Sequence, residues 1–205
     1  GMLAPLTGAV AEYGQAVANG VRMYTEELNA KGGVNGKQIE LVEYDEEGDS
    51  AKAVTGYNSL VDQGVVAIIG DVTTAPTVAV VVESQADNMP MITASATAAA
   101  VTVDQDTGTV YENMFRSCFI DPFQGNKMAS FASEKLSAKT AAILFNTGSD
   151  YSIGLSDSFE EQAAALGLEI VAKESFADGA TEFQSQLTNI AAKNPDVLFV
   201  PDYYS

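Results

Sequence analysis

Short apolar segments alternate with longer amphipathic segments along this chain. In the longer segments, apolar residues recur at every third or fourth position, which is the spacing of a helix with one buried face. The alternation predicts an α/β fold in which crossover helices join parallel strands. Strands are predicted at Met2–Ala4, Ile39–Glu43, Val65–Ile69, Met91–Thr93, Ala141–Phe145, Glu169–Ala172 and Val197–Val200, and helices at Val10–Ala30, Ser50–Asp62, Ala75–Asp87, Phe123–Leu136, Tyr151–Leu166 and Glu182–Ala192.

The order of these elements also predicts where function lies and how the chain is divided. Parallel strands joined by right-handed crossovers leave their ligand crevice at the carboxyl ends of the strands, so we expect functional residues in the loops that follow strands. The alternation is interrupted between Ala96 and Ser117. We therefore predict an N-terminal lobe at 1–118 and the first part of a second lobe at 119–205. The strand at Val197–Val200 would leave an exposed sheet edge, so we expect the chain to be a fragment of a longer polypeptide.

Charge and composition narrow the classes of function. Ten Lys plus Arg against 28 Asp plus Glu give a formal net charge of -18, which makes nucleic acid an unsuitable partner. The chain has no histidine, the most common general base and a frequent metal ligand, and it has no nucleotide-binding motif. We therefore expect no catalysis, no metal and no cofactor. The single cysteine, Cys118, has no disulfide partner in the chain and is expected in the core.

Hydroxyl side chains follow the third and fourth predicted strands. Thr73 and Thr74 come at the start of a helix, where free N–H groups suit a carboxylate. Ser95, Ala96 and Thr97 form a second set, in which small residues let a ligand approach the backbone and the hydroxyls offer hydrogen bonds. The alternative is that Thr74 and Thr97 act only as helix N-caps. Two such loops on neighbouring strands favour a binding site, and since neither loop contains Lys or Arg, neutral dipoles would hold the anion.

Tyrosines and aspartates after other strands are further candidates. Tyr13, Tyr151 and Tyr203 each offer a flat apolar ring with one polar tip, which suits the covering of a small ligand. Each could equally be a surface or core aromatic residue. Asp121 and Asp202 could offset a ligand ammonium group, although Asp121 could instead be the N-cap of the helix that follows it.

Two acidic segments are interpreted as solvated loops. Asp104–Gly108 begins like a calcium loop, but Phe115 occupies the position where a bidentate Glu belongs. The group of Asp45, Glu46, Glu47 and Asp49 lies between a strand and a helix and shows no ligand spacing beyond proximity. We expect water to surround both.

Segments spread over the whole chain carry a resemblance to a known family. They are Ala4–Gly8, Glu12–Gly14, Asn29–Gly36, Tyr44–Asp45, Ile68–Gly70, Met91–Thr97, Phe115–Arg116 and Gln124–Gly125. With them the chain resembles the type I periplasmic binding proteins of ABC transporters, branched-chain amino acid subgroup. The resemblance implies two doubly wound parallel-sheet lobes with a hinge that closes on an amino acid. It also implies an extracytoplasmic monomer, made with a signal peptide or a lipid anchor, that delivers its ligand to an ABC permease in the membrane.

The resemblance implies roles for individual residues as well. Thr74 and Thr97 would bind the ligand α-carboxylate through hydroxyls and amides, and Ser95 would contribute through its backbone and side chain. Tyr13 and Val72 would line the pocket for the ligand side chain.

Other roles fall on the second lobe. Tyr151 and Tyr203 would close over the ligand, and Asp121 would share the neutralisation of its ammonium with an acidic residue beyond Ser205. Thr93–Ser95 departs from the Thr-Pro-Ala that is frequent in the family. This departure could change the size and polarity of the pocket. The resemblance makes leucine, isoleucine or valine the leading expectation, and amides, urea and aromatic acids remain alternatives. A ligand-sensing domain of a receptor or regulator is the alternative from another functional class.

Overall fold

Parallel strands and helices alternate through the structure, a computed structural model that describes residues 1–204. The strands are β1 (Met2–Ala4), β2 (Glu43–Asp45), β3 (Ile68–Ile69), β4 (Met91–Thr93), β5 (Met114–Arg116), β6 (Thr140–Asn146), β7 (Glu169–Phe176) and β8 (Val197–Phe199). The helices are α1 (Ala11–Ala30), α2 (Ser50–Asp62), α3 (Thr74–Asp87), α4 (Asp121–Ser130), α5 (Asp150–Leu166) and α6 (Gln184–Ala192). A 3₁₀ turn spans Ala99–Val101, and a π-helical turn at Phe131–Lys135 continues α4.

The chain separates into two units, each with its own sheet. Unit 1 comprises residues 1–118 together with Tyr204, and unit 2 comprises residues 119–203. The unit 1 sheet has the strand order β2-β1-β3-β4-β5, and the unit 2 sheet has the order β7-β6-β8. Every neighbouring pair in both sheets is parallel. In each sheet the loops that follow the strands therefore come together at one edge.

Separate apolar cores hold the two units. In unit 1, Leu3, Tyr57 and Met91 belong to one buried cluster between the sheet and its helices. In unit 2, Ile143 and Phe159 belong to another, in which the Phe159 ring stacks on Phe199. Burial of such side chains is the main favourable contribution to folding, so each sheet has its own source of stability.

Local signals explain where several helices begin and end. The side chain of Asp49 accepts a hydrogen bond from the Lys52 N–H at the start of α2, and that of Ser149 accepts one from the Ser152 N–H at the start of α5. Gly167 ends α5 in the left-handed conformation, which glycine adopts without steric cost.

Two close contacts depend on glycines inside helices. A Cβ atom at Gly14 would lie 2.0 Å from the Pro5 carbonyl oxygen, so α1 can pack against the loop after β1 only without a side chain there. A Cβ atom at Gly125 would lie 2.6 Å from the Ser158 Cβ, at the crossing of α4 and α5. Both glycines are buried.

The predicted α/β fold with parallel strands is confirmed, and two strand predictions need correction. The segment 39–42 is not a strand, and at its start the Asn29 side chain binds the backbone N–H and C=O of Ile39 in place of a ladder partner. The strand begins at Glu43 instead. Met114–Arg116 is a strand that the apolar pattern did not predict, and β4 pairs with it along its whole length.

Across residues 1–204, no helix combines the length and apolar character that crossing a membrane requires.

Candidate functional site

The two hydroxyl-rich loops of unit 1 are joined by side-chain hydrogen bonds. They follow β3 and β4, which are neighbours in the sheet. The Thr93 hydroxyl donates to the Asp71 carbonyl oxygen at 2.6 Å, and the Ser95 hydroxyl donates to the Val72 carbonyl oxygen at 2.7 Å. The structure therefore brings Val72, Thr73 and Thr74 beside Ser95, Ala96 and Thr97 at one edge of one sheet.

Thr93 organises this edge although sequence reasoning gave it no site role. Its side chain is fully buried, and its oxygen accepts hydrogen bonds from the backbone N–H groups of Ser95 (3.3 Å) and Ala96 (3.0 Å). With the bond to Asp71, this one hydroxyl serves three backbone groups of two loops. The available signal was a hydroxyl residue at the last position of a strand.

The Thr97 side chain is the strongest indication of a ligand in unit 1. Thr97 is 5% exposed, and its hydroxyl oxygen is buried with no hydrogen-bond partner within residues 1–204. A buried polar group without a partner is costly, and such groups often belong to binding sites. The hydroxyl is thus available to a solute that enters between the loops.

The interpretation of Thr74 and Thr97 as simple N-caps is wrong. Thr73 holds the N-cap position of α3 and makes no side-chain capping bond, while Thr74 is the first helical residue and is buried. Ala98, and not Thr97, is the N-cap of the 3₁₀ turn. Helix α3 thus begins at the candidate site, where its first N–H groups favour an anion.

Arg116 supports the second hydroxyl loop from the neighbouring strand. Its guanidinium group donates to the carbonyl oxygens of Ala96 (3.0 Å) and Ala98 (2.9 Å) and to the Thr102 hydroxyl (2.8 Å). These bonds hold the backbone at Ala96 in place beneath Thr97. In the sequence, Arg116 stands out only as part of the family resemblance.

Tyr13 lies on the first turn of α1, the helix that follows β1. Its ring is 37% exposed and packs against the Tyr204 ring at a centroid distance of 5.1 Å. The Tyr204 hydroxyl accepts a hydrogen bond from the Glu12 N–H at 3.2 Å. Tyr13 is therefore a surface aromatic residue in contact with a second tyrosine.

In unit 2 the structure brings the two predicted tyrosines together. The rings of Tyr151 and Tyr203 stack with centroids 4.8 Å apart and an interplanar angle of 14°. Gln124 on α4 donates to the Tyr151 hydroxyl at 3.1 Å, which fixes that ring from a third element. The stacked pair is a rigid aromatic surface after β6 and β8.

The two aspartates of unit 2 have different surroundings. Asp121 is the first residue of α4 and is 4% exposed, and Ile120 is the N-cap, so the N-cap interpretation of Asp121 is wrong. Its carboxylate lies against Gly154 of α5, where a Cβ atom would be 2.6 Å from Oδ2. Asp202 is half-buried and accepts the N–H of Tyr203 at 2.8 Å.

The prediction of a solvated acidic loop after β2 is wrong for Glu46. Glu46 and Asp71 are both fully buried in unit 1. Burial raises the pKa of Glu46 from 4.5 to about 7. Burial, reinforced by the charge of Glu46, raises the pKa of Asp71 well above its ordinary value. The strand pairing that carries Glu46 inward is a long-range feature, so no local pattern separated it from its exposed acidic neighbours.

Asp45, beside it, fastens the loop after β1. Its carboxylate accepts the Leu6 N–H at 2.9 Å and both the N–H (3.2 Å) and the hydroxyl (2.6 Å) of Thr7. Burial raises the pKa of Asp45, but the hydrogen bonds from Thr7, Glu47 and Leu6 outweigh it and the net pKa is lowered. Asp45 is therefore a charged anchor for the loop.

Other candidates from the sequence do not join this site. Asp104 accepts the N–H groups of Asp106 (3.0 Å) and Thr107 (2.8 Å) in an exposed turn. In the part of the chain that the structure describes, no three His, Cys, Asp or Glu residues are grouped so that they could hold a metal ion. Cys118 is only partly buried, so its expected place in the core is wrong.

An apolar groove of about 980 Å³ lies on another face of unit 1. Side chains of α1 such as Val17 and Val21 line it together with Leu41 and Val65, and none of the predicted site residues does. Because its lining is mainly aliphatic, the groove lacks the convergent polar groups that orient a small polar ligand.

The parallel α/β fold, with hydroxyl-rich loops at the carboxyl ends of its strands, is that of a solute-binding protein, and comparison with known proteins identifies the family. The model of the periplasmic binding protein family matches residues 1–202, so the chain belongs to that family. It is similar to the Leu/Ile/Val-binding protein BraC3 of Rhizobium johnstonii, with 30% identity over 204 residues that cover all of this chain and 54% of the relative. The chain thus spans about half the length of the curated relatives it matches.

Two solved structures share the fold. The leucine binding protein LivK from Thermotoga maritima has a TM-score of 0.88 and 32% identity, over 97% of this chain and 54% of that chain. LivJ from Streptococcus pneumoniae, solved in complex with isoleucine, has a TM-score of 0.88 and 36% identity, over 99% of this chain and 56% of that chain. The predicted type I periplasmic-binding-protein fold is therefore confirmed.

Proposed function

We propose that this protein binds a small aliphatic amino acid, with leucine, isoleucine or valine as the first choice, and performs no chemistry on it. The observation that carries the proposal is the buried Thr97 hydroxyl without a partner in residues 1–204, beside the helix start at Thr74. The family relation and the ligands named for BraC3 and LivJ support the same class of solute.

The Thr97 hydroxyl and the first N–H groups of α3 would receive the ligand carboxylate. Hydrogen bonds to a charged group contribute about 1.5–3 kcal/mol each, so neutral donors in a desolvated site hold a carboxylate well. The Ser95 hydroxyl already donates its proton to Val72, so its oxygen remains an acceptor for an ammonium group. Buried Val72 would meet the ligand side chain, with Tyr13 expected on the same side.

The remaining steps of the proposal rest on the family relation. Tyr151, Tyr203, Asp121 and Asp202 of unit 2 would contact the ligand after a hinge movement. Contacts made only in the shut state would favour it by their differential binding free energy. The loaded protein, extracytoplasmic and monomeric, would then deliver the amino acid to an ABC permease.

The direct test is calorimetric titration of the complete natural protein with the twenty amino acids, small amides and aromatic acids. We expect saturable binding of at least one aliphatic amino acid. Binding of an aromatic acid or amide alone would correct the ligand class. Absence of heat from every amino acid would refute the proposed ligand.

A substitution tests the site itself. Thr97→Val removes the hydroxyl and keeps the shape of the side chain, so we expect affinity to fall by about 10-fold to 150-fold, which corresponds to 1.5–3 kcal/mol. The matched control is Thr107→Val, since Thr107 is exposed in the Asp104–Gly108 turn. Unchanged affinity in Thr97→Val would show that the carboxylate does not bind there.

A further inference from the structure

Polar side chains tie together the four loops that follow β1 to β4. Asp45 binds the loop after β1 through Leu6 and Thr7. Thr93 binds the loop after β3 from the end of β4. Between these two ties lie Glu46, after β2, and Asp71, after β3. The carboxyl pair is therefore the remaining polar link in this row of loops.

One oxygen of each carboxyl group, in Glu46 and in Asp71, accepts a hydrogen bond from the backbone of its own loop. Asp71 accepts the N–H groups of Val72 and Thr73, which are candidate ligand residues. The Glu46 carboxylate accepts the N–H of Gly48, and the Glu46 backbone carbonyl accepts the N–H of Asp49. The other oxygens, Glu46 Oε1 and Asp71 Oδ2, are buried and have no other hydrogen-bond partner in residues 1–204. The two groups lie within hydrogen-bonding reach of each other.

The surroundings offer no cation to neutralise a second negative charge. Among residues 1–204, neither Glu46 nor Asp71 takes part in an ion pair. Lys52 pairs with exposed Glu47, and Asp45 adds a further negative charge. The flanking strands, Met2–Ala4 and Met91–Thr93, carry no ionisable side chain.

Elementary electrostatics then fixes the state of the pair. Two buried carboxylates in contact cannot both ionise without a large free-energy cost, so one of them keeps its proton. That proton supplies the donor that both orphan oxygens lack. The raised pKa values of the two groups agree with this arrangement.

We propose that Glu46 and Asp71 share one proton, and that the resulting hydrogen bond positions the Val72–Thr74 loop for ligand binding. They are positioning residues, since they act on the ligand through the backbone of Val72 and Thr73. The effect on affinity rests on the proposed function, whereas the shared proton itself does not. Loss of the proton would set two like charges against each other and loosen the loop.

The direction of the pH dependence follows from the raised pKa of Glu46. Glu46, with a pKa of about 7, loses the first of the pair's two protons, and Asp71, whose pKa the charge of Glu46 raises further, keeps the shared proton to higher pH. The stabilising contribution is therefore fully present below the unfolded-state pKa values and is lost as pH rises through the two folded-state values. Stability should fall across neutral pH, and affinity should fall where the shared proton is lost. Few other groups of this chain titrate near neutral pH, because it has no histidine.

The experiment measures the thermal midpoint and the Kd for leucine of the complete natural protein at a series of pH values. As pH rises from about 6 into the alkaline range and the shared proton is lost, we expect affinity in the wild type to fall by about 10-fold and the midpoint to fall with it. In Glu46→Gln the amide can donate to Asp71 at every pH, so both profiles should flatten. Asp71→Asn is the second variant, in case Glu46→Gln fails to fold. Glu47→Gln, on the exposed neighbour, should keep the wild-type profiles.

The outcomes separate the two proposals. Flat wild-type profiles, or equal slopes in wild type, Glu46→Gln and Asp71→Asn, overturn the shared proton. A midpoint that depends on Glu46 while affinity stays constant with pH overturns the positioning role. If neither leucine nor another amino acid binds at about pH 6, the proposed function and the effect on affinity both fail. The midpoint profiles then still decide whether the proton is shared.

Discussion

The buried hydroxyl of Thr93 gives the sharpest test of how the candidate site is built. In Thr93→Val the side chain keeps its shape but loses one donated hydrogen bond, to the Asp71 carbonyl, and two accepted ones, from the N–H groups of Ser95 and Ala96. Thr93 is fully buried and Ala96 is 1% exposed, so water cannot replace the bonds to Asp71 and Ala96.

The expected loss of stability follows from these two groups. Each buried backbone group left without a partner costs about 1–3 kcal/mol, so Thr93→Val should lower the free energy of unfolding by about 2–6 kcal/mol. Thr93→Ser keeps the hydroxyl and removes one methyl group, which costs about 1 kcal/mol. Thr97→Val should leave stability unchanged or raise it slightly, because the Thr97 hydroxyl has no hydrogen-bond partner to lose among residues 1–204.

Urea denaturation of the three variants beside the wild type measures these differences. The comparison is matched, since two of the variants make the same chemical change four residues apart, at the end of β4 and in the loop that follows it. Equal stability of Thr93→Val and Thr97→Val would refute the conclusion that Thr93 organises the loops. A loss in Thr93→Ser as large as that in Thr93→Val would assign the effect to packing instead of hydrogen bonding.

Three further substitutions test other close contacts by the same denaturation assay. Gly14→Ala should lower the free energy of unfolding by about 1–3 kcal/mol, because its Cβ would meet the Pro5 carbonyl at 2.0 Å; a gain from helix propensity alone would contradict this. Gly125→Ala should cost about 1–3 kcal/mol at the α4–α5 crossing, and a neutral result would show that the helices can separate. Asn113→Leu leaves the Met89 carbonyl without its side-chain donor and removes one of several donors to the Ser84 carbonyl, and we expect a loss of about 2 kcal/mol or more. An unchanged midpoint would contradict that estimate.

The elements of the fold were predictable where the pattern is local. Apolar residues at helical spacing predict α1 because one face of a helix repeats within the sequence itself. The segment Ile39–Glu43 has the apolar character of a strand, but Ile39 gives its backbone N–H and C=O to the Asn29 side chain. A side chain ten residues away decided its conformation, and short-range patterns carry no such information.

The candidate site was predictable in part for the same reason. Hydroxyls that follow strands are visible in the sequence, and the rule that strand ends converge places Thr74 and Thr97 together. Glu46 was not predictable, because four of the five residues in Asp45–Asp49 are acidic and their local pattern favours water. Its burial depends on how β1, β2 and β3 neighbour one another, which only the assembled sheet shows.

The absence of Lys and Arg from 70–77 and from 93–97 has a consequence for how binding responds to salt. Ionic screening weakens attraction between full charges in solvent and acts little on short hydrogen bonds inside a desolvated site. A zwitterion also has no net charge for the field of a chain with net charge -18 to repel. Affinity for the proposed zwitterionic ligand should therefore stay nearly constant from dilute buffer to high ionic strength.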